Sequence, residues 1–407
     1  MLHVAMISTG EEVLHGDIVD TNAAWLSRLF FERGFALSRR TTVGDQLEGL
    51  AAEIEHCSLT SDVVIVNGGL GPTSDDLTAQ AAAIAADVGL EQSDYWVEQM
   101  REKYQKLNLV MPQSNLKQAM LPEGSELLEN PIGTACGFAM KLNRAWIFFT
   151  PGVPSEFKKM AQEQILTRLK ATYTETEKLD CHRFYTFGLS ESGIGDTLAS
   201  VSLPKGYELG YRSSLPFIEV KLFAPAADTN ALAFQQQMID LLGENVVSIG
   251  QTLPEHVGAQ LVAKQLTLAL AEQCSGGWLT NWLQDYPDAK AQLRQGWMLG
   301  AVETAELAAS DQLASALAMA AASREKMTSD IALVSGPLYD GKVAVAMATP
   351  DGDWAQVIST KRQYGSRDMR SLIATVMLDM LRRWLDGQPV MGQFSSLNRE
   401  SEIFLTS

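Results

Sequence analysis

Residues 1–168 predict an α/β fold, a parallel sheet with helices on both faces. Three observations carry this. Short apolar runs alternate with helical patterns. Two runs, Asp62–Val66 (DVVIV) and Ala145–Phe149 (AWIFF), are continuously apolar, as strands buried on both faces are. Both lead into loops rich in glycine, proline and hydroxyl residues, and open α/β sheets bind ligands at such strand ends.

In chain order, Val4–Ile7 is a strand ending in Ser8-Thr9-Gly10. Asn22–Gly34 is a helix with Trp25, Leu26, Leu29 and Phe30 on one face. Arg39–Val43 is a strand and Leu47–His56 a helix. Asp62–Val66 enters Asn67-Gly68-Gly69-Leu70-Gly71-Pro72-Thr73, then the helix Leu77–Ala86. Ala145–Phe149 is followed by Thr150-Pro151-Gly152-Val153-Pro154 and a helix from Ser155.

After about residue 170 the texture changes to a small α+β unit. Lys178–Tyr185, Glu208–Ser213 and Phe217–Ala224 read as strands, Ser190–Leu198 and Asn230–Leu242 as helices. From about 255 the chain is rich in alanine and leucine. Helical patterns cover 255–270, 276–284, 303–323 and 366–386, with strands at Asp330–Val334 and Lys342–Ala348, a further α/β unit. The predicted domains are 1–168, 169–250 and 251–407.

A net charge of −17 disfavours binding to a phosphate backbone, so no nucleic-acid partner is expected. Cys57, Cys136, Cys181 and Cys274 are too far apart for a zinc knuckle or redox pair and read as inert thiols. None of the five histidines is paired at metal spacing. The N-terminus has no basic region before an apolar run, and no stretch reaches the ~18–20 apolar residues of a membrane helix. A cytoplasmic protein without a membrane partner is expected.

The strongest local signal is residues 64–76, VIVNGGLGPTSDD. Gly68, Gly69 and Gly71 can adopt positive φ and let backbone amides approach an anion, Thr73 and Ser74 add hydroxyls, and a helix N-terminus follows. The Gly-Lys-Ser/Thr ending of a P-loop is absent. Asp75 and Asp76 beside an anion site suggest a divalent metal bridging carboxylate and phosphate, or else helix capping. Glu12 and Asp17, after the first strand, could orient sugar hydroxyls, hold metal or act as a base. Asn22 is a helix cap or a ligand contact. Lys117 is a partner for a pyrophosphate or a surface lysine. Asn130–Thr134 forms tight turns beside the AWIFF strand.

Five segments in order, STGEEVLHGDIVDTNAAWL, NGGLGPTSDDLT, SNLKQAMLP, NPIGTACGF and TPGVPSEF, resemble the CinA (competence/damage-inducible) family. The resemblance implies a three-layer molybdopterin-binding-like first domain, similar to the MoaB/MogA type, a small KH-like α+β middle domain and an α/β CinA C-terminal domain. It implies metal-dependent ADP-ribose pyrophosphatase activity in the first domain, giving AMP and ribose 5-phosphate. Together with the acids read from the loops themselves, Asp76, Asp75, Glu12 and Asp17 are the catalytic candidates. A divalent ion (Mg, Mn or Co) would sit on Asp76 and Asp17. The nucleotide would contact Gly68, Gly69, Gly71, Thr73, Ser74, Asn22, Lys117 and Thr134. A homodimer is also implied. Cys136 stands where the family more often has proline.

Active relatives of the C-terminal domain are nicotinamide mononucleotide amidohydrolases with a Glu-Ser-Cys-Thr-Gly-Gly motif whose serine is the nucleophile. Here the motif reads Glu272-Gln273-Cys274-Ser275-Gly276-Gly277. Gln273 replaces the serine, Gly300 the later tyrosine and Ala305 the lysine. The deamidase is therefore expected to be inactive, since an amide is no nucleophile and the base is lost. The rival readings are an active deamidase and a molybdopterin- or nucleotide-binding protein without turnover.

Overall fold

The computed structural model describes residues 2–173, 179–300 and 311–406. The chain divides into two compact units, Met1–Leu179 and Asp180–Ser407.

In the first unit the strands are β1 (Val4–Thr9), β2 (Leu37–Val43), β3 (Val63–Asn67), β4 (Leu90–Gln92), β5 (Met120–Pro122), β6 (Glu126–Leu128), β7 (Gly137–Leu142) and β8 (Ala145–Thr150). The main sheet runs β2-β1-β3-β8-β7-β6. The β2-β1-β3-β8 part is parallel, as expected. The β8-β7-β6 part is antiparallel and adds two strands, β6 and β7, that the sequence reading did not name. The cause is the tight turn between β7 and β8, where Asn143 takes a left-handed φ of 51°. Every residue of β3 is buried, which is why it reads as an unbroken apolar run.

Alternate side chains of β1 serve two cores. Val4 and Met6 pack with Leu26, Phe30, Phe157 and Met160 on one face. Ala5 and Ile7 pack with Leu50, Ile54, Ala81 and Trp96 on the other. The result is three layers. Helices Thr21–Glu32 and Pro154–Met160 lie on one side, and Leu47–Thr60, Thr78–Ala86 and Asp94–Lys106 on the other. The predicted boundary at 168 falls inside the helix Leu166–Thr172.

The second unit opens with a four-stranded sheet of β9 (Leu179–Phe187), β10 (Glu208–Ser214), β11 (Phe217–Pro225) and β12 (Val246–Ile249), in the order β10-β11-β9-β12. Helices Glu191–Leu198 and Ala231–Leu242 share a core with it through Ile194, Leu198, Met238, Val220 and Leu222. A six-stranded sheet follows: β13 (Leu268–Glu272), β14 (Leu293–Met298), β15 (Ile331–Tyr339), β16 (Lys342–Thr349), β17 (Gly352–Thr360) and β18 (Leu397–Thr406), in the order β14-β13-β15-β16-β17-β18. The Gln312–Lys326 helix packs on one face and Leu253–Lys264 and Ser366–Leu385 on the other.

The single helix expected over 255–270 is two elements. Helix Leu253–Lys264 ends at Gln265, which turns left-handed at φ 55°, and β13 follows, buried along its whole length. Alanine and leucine suit both states, so composition did not separate them. The pattern read at 303–323 is the helix Gln312–Lys326; residues 303–310, including Ala305, lie outside the described residues.

Gln356 on β17 is fully buried, and both of its amide atoms lack a hydrogen-bond partner among the described residues. Gln356→Met keeps most of the volume and removes two unsatisfied groups. It is expected to stabilise the protein by about 1 kcal/mol or more. A thermal melt checks this; a lower melting temperature would mean that the amide is paired with an ordered water.

Candidate active site

The loops after β1, β3 and β8 surround a cleft of about 490 Å³. The sheet order puts β3 between β1 and β8, so its glycine loop is central and the other two flank it.

The glycine loop follows from local sterics. Gly68 has φ 111° and Gly69 φ 65°. A Cβ on Gly68 would lie 2.6 Å from Thr9 Oγ1 and 2.9 Å from Thr9 O, and one on Gly69 would run into Thr78 Oγ1. Only glycine fits either position. The Thr78 hydroxyl donates to Gly68 O at 2.9 Å and its N–H to Gly69 O at 3.1 Å, anchoring the loop to the helix it precedes.

Two buried asparagines tie the three loops together. Asn67 Nδ2 donates to Pro151 O at 2.7 Å and Thr150 Oγ1 at 3.3 Å. Asn22 Nδ2 donates to Asn67 Oδ1 at 3.0 Å and Gly152 O at 2.7 Å. Asp20 caps the Thr21–Glu32 helix through Ala23 N and accepts from Ser8 Oγ at 2.6 Å. The Thr134 edge of the cleft is shaped by Asn130. Its Oδ1 accepts from Ile132 N and Gly133 N, both at 3.0 Å, while its Nδ2 donates to Ala135 O and Glu156 Oε2.

Carboxylates gather along one rim. Asp45 Oδ2 accepts from Glu11 N at 3.1 Å, and Glu11 Oε1 accepts from Asp45 N at 3.2 Å, bracketing the loops after β1 and β2. Burial pushes the Asp45 carboxyl above its usual value. The Glu11 backbone N–H opposes this, and the charges of Glu12, Asp75 and Glu11 add to it. The Asp75 carboxyl sits below its usual value, through the Thr73 hydroxyl first and the Lys117 charge last.

A carboxyl raised in the folded state destabilises the fold once ionised. That penalty is absent below the ordinary value of 3.8 and grows as pH rises through the higher folded value. Asp45→Asn is therefore expected to melt at a higher temperature than wild type at pH 7, with the gap closing near pH 3. Melting curves at both pH values check this, and an equal gap at both would contradict it.

Of the residues singled out from sequence, Glu12, Asn22, Gly68, Gly69, Gly71, Asp75, Asp76 and Thr134 line the cleft. Asp17 is exposed and is not among the lining residues, so the structure does not bring it together with Asp76 there. Thr73 and Ser74 are exposed and also outside the lining. Asp76 Oδ2 accepts from Thr73 N at 2.9 Å and from the Thr73 hydroxyl, closing the loop on itself. Lys117 Nζ donates to Thr73 O; it braces the loop rather than lining the cleft. The wall also carries Asp20, Asp45, Asn67 and Glu156, which were not in the predicted set. Asp45 had a signal: it follows a parallel strand at the sheet's carboxyl edge.

Among the described residues, no three His, Cys, Asp or Glu side chains converge as a preformed metal cage. The donor set instead suits a hard cation held by one or two carboxylates together with ligand phosphates, the way magnesium is usually held. Glu12, Asp45 and Asp75 are the acids placed for this.

In the second unit, Glu272 is fully buried and accepts from Leu279 N, Thr280 N and Thr280 Oγ1, so it holds the start of the Trp278–Gln284 helix. Gln273 Nε2 donates to Gly300 O at 3.2 Å. Ser275 Oγ lies 2.6 Å from Ser335 Oγ, both fully buried. Burial alone pushes the Cys274 thiol up to about 11. None of these contacts supplies a base to a nucleophile.

Two family models match the chain. One, described as "Probable molybdopterin binding domain", covers residues 5–171; the other, "CinA C-terminal domain", covers 250–385. A CinA-like protein of Shewanella amazonensis is 42% identical over 98% of this chain and 99% of its own. A CinA-like protein of Escherichia coli O17:K52:H18 is 41% identical over 100% of both chains. A crystal structure of the protein CinA from Thermoplasma acidophilum is similar to 42% of this chain and 96% of its own, at 28% identity and a TM-score of 0.37.

Proposed function

The chain belongs to the CinA-like family, and from that premise we propose that its first unit is a divalent-metal-dependent hydrolase of a nucleotide diphosphate, ADP-ribose or a close relative. The observation that carries this is the meeting, in one cleft, of a glycine cradle and a carboxylate rim. The backbone of Gly68–Gly71 receives the diphosphate. Asn22 and Asn67 hold the three loops at fixed separation, so the cradle is preorganised. Glu12, Asp45 and Asp75 would hold the cation together with the phosphates. When bound, it would neutralise diphosphate charge and make water more acidic. A binder without turnover needs the cradle but not the rim.

The C-terminal site is inactive as a deamidase in this reading. Gln273 stands at the nucleophile position, and the nearby serines are hydrogen-bonded to each other and buried.

Because no cage is preformed among the described residues, Mn²⁺ is expected to bind weakly to the protein alone and at least tenfold more tightly with AMP present. The free-Mn²⁺ spin-resonance signal reads this. Tight binding without nucleotide, or none with it, would overturn the shared-site reading.

A further inference from the structure

One wall of the cleft is held from outside by a helix that does not reach the cleft itself. The segment 130–135 leads into β7, next to β8 in the sheet, and its Thr134 and Ala135 line the cleft. Trp96 and Lys103 do not line it. They lie about two turns apart on the Asp94–Lys106 helix, so their side chains share one face. Trp96 Nε1 donates to Thr134 O at 2.8 Å, and Lys103 Nζ donates to Asn130 O and Gly133 O. The ammonium also sits 4.8 Å from the centre of the Trp96 ring. Burial holds Lys103 below the usual lysine value, and the charge of Glu156, on the same cleft wall, opposes this. A partly buried ammonium is costly unless it is bonded, and the loop carbonyls supply those bonds.

A trans peptide points its C=O and the following N–H in opposite directions. Gly133 O and Thr134 O are turned to the helix. The N–H groups of Thr134 and Ala135 therefore face away from it, on the side where these residues line the cleft. Neither has a protein partner among the described residues, whereas Asn130 Oδ1 takes the N–H groups of Ile132 and Gly133.

We infer that Lys103 and Trp96 are positioning residues, which draw the loop carbonyls onto their helix and so aim the Thr134 and Ala135 amides at the second phosphate of a ligand whose first phosphate lies on the glycine loop. This rests on the proposed reading of the cleft as a phosphate site and adds the element that tells two phosphates from one. Adjacent amides on a fixed loop form an anion-binding concavity. Lys103 acts through the backbone it holds, since its own ammonium is spent on two carbonyls and a ring face.

The test is calorimetric titration of the full chain by ADP and by AMP, with Mg²⁺ present. Wild type is expected to bind ADP about tenfold more tightly than AMP. Lys103→Met keeps the stem over Trp96 and removes the ammonium. It is expected to erase the gap by weakening ADP alone, with AMP unchanged. Trp96→Phe keeps a ring beneath Lys103 and removes only the bond to Thr134 O. It is expected to narrow the gap about threefold, and it carries the test if Lys103→Met does not fold. A gap that survives in the folded variants overturns the positioning role. Equal losses for ADP and AMP do the same, since they mean that both residues only support the fold. Equal binding of ADP and AMP by wild type overturns the second-phosphate element while the phosphate reading stands. Binding of neither to wild type overturns both.

Discussion

Asp76→Ala is expected to lower kcat/KM for ADP-ribose by about 100-fold while leaving the melting temperature within a few degrees. Asp76 closes the glycine loop by accepting from both the N–H and the hydroxyl of Thr73, and it lines the cleft. Its loss frees the loop that holds the diphosphate and removes a charge beside the rim. The residue is only partly buried, so little packing is disturbed. Asp76→Asn separates the two roles. It keeps an acceptor for Thr73 N and removes the charge, and it too is expected to lose activity, because the site relies on its carboxylates. Full activity in Asp76→Asn would reduce the residue to a brace. Steady-state AMP release measures both variants.

The largest stability effect is expected in the second unit. Asp379, Arg382 and Arg383 on the Ser366–Leu385 helix are 1–2% exposed. Asp379 accepts from Arg382 Nε at 2.8 Å and Arg383 Nε at 2.7 Å. Arg383 reaches Glu244 Oε2 at 2.8 Å and Arg382 reaches Glu244 O at 3.1 Å, joining this helix to the turn before β12. Asp379→Ala leaves two buried guanidinium groups without their shared anion and is expected to destabilise the protein by about 3–5 kcal/mol. Urea unfolding followed through the second unit checks this. A loss under about 1 kcal/mol would mean that Glu244 and Asp386 compensate.

Much of the first unit was legible because its central strands are buried on both faces. Val63–Val66 and Ala145–Phe149 can be little else than sheet. The antiparallel strand Gly137–Leu142 was not legible, since its side chains carry no distinctive period and its turn depends on Asn143 adopting a left-handed backbone. Leu268–Glu272 was hidden in an alanine- and leucine-rich stretch. At the site, the glycine loop, Glu12, Asn22, Asp75 and Asp76 were visible as polar residues after apolar runs. Asp45 was missed although it directly follows a strand, and the linking role of Asn67 was hidden because it depends on which strands lie side by side, which sequence does not order. Lys117 was visible as a cation, but its bond to Thr73 O comes from the fold alone.

On the proposed reading, the glycine cleft hydrolyses a diphosphate and the C-terminal site does not release ammonia. The most direct measurement offers ADP-ribose and nicotinamide mononucleotide in parallel to the full chain, with Mg²⁺ and with a chelator. AMP release that needs the metal, with no ammonia from either substrate, is the predicted result. Ammonia release, or no AMP with metal present, would contradict it.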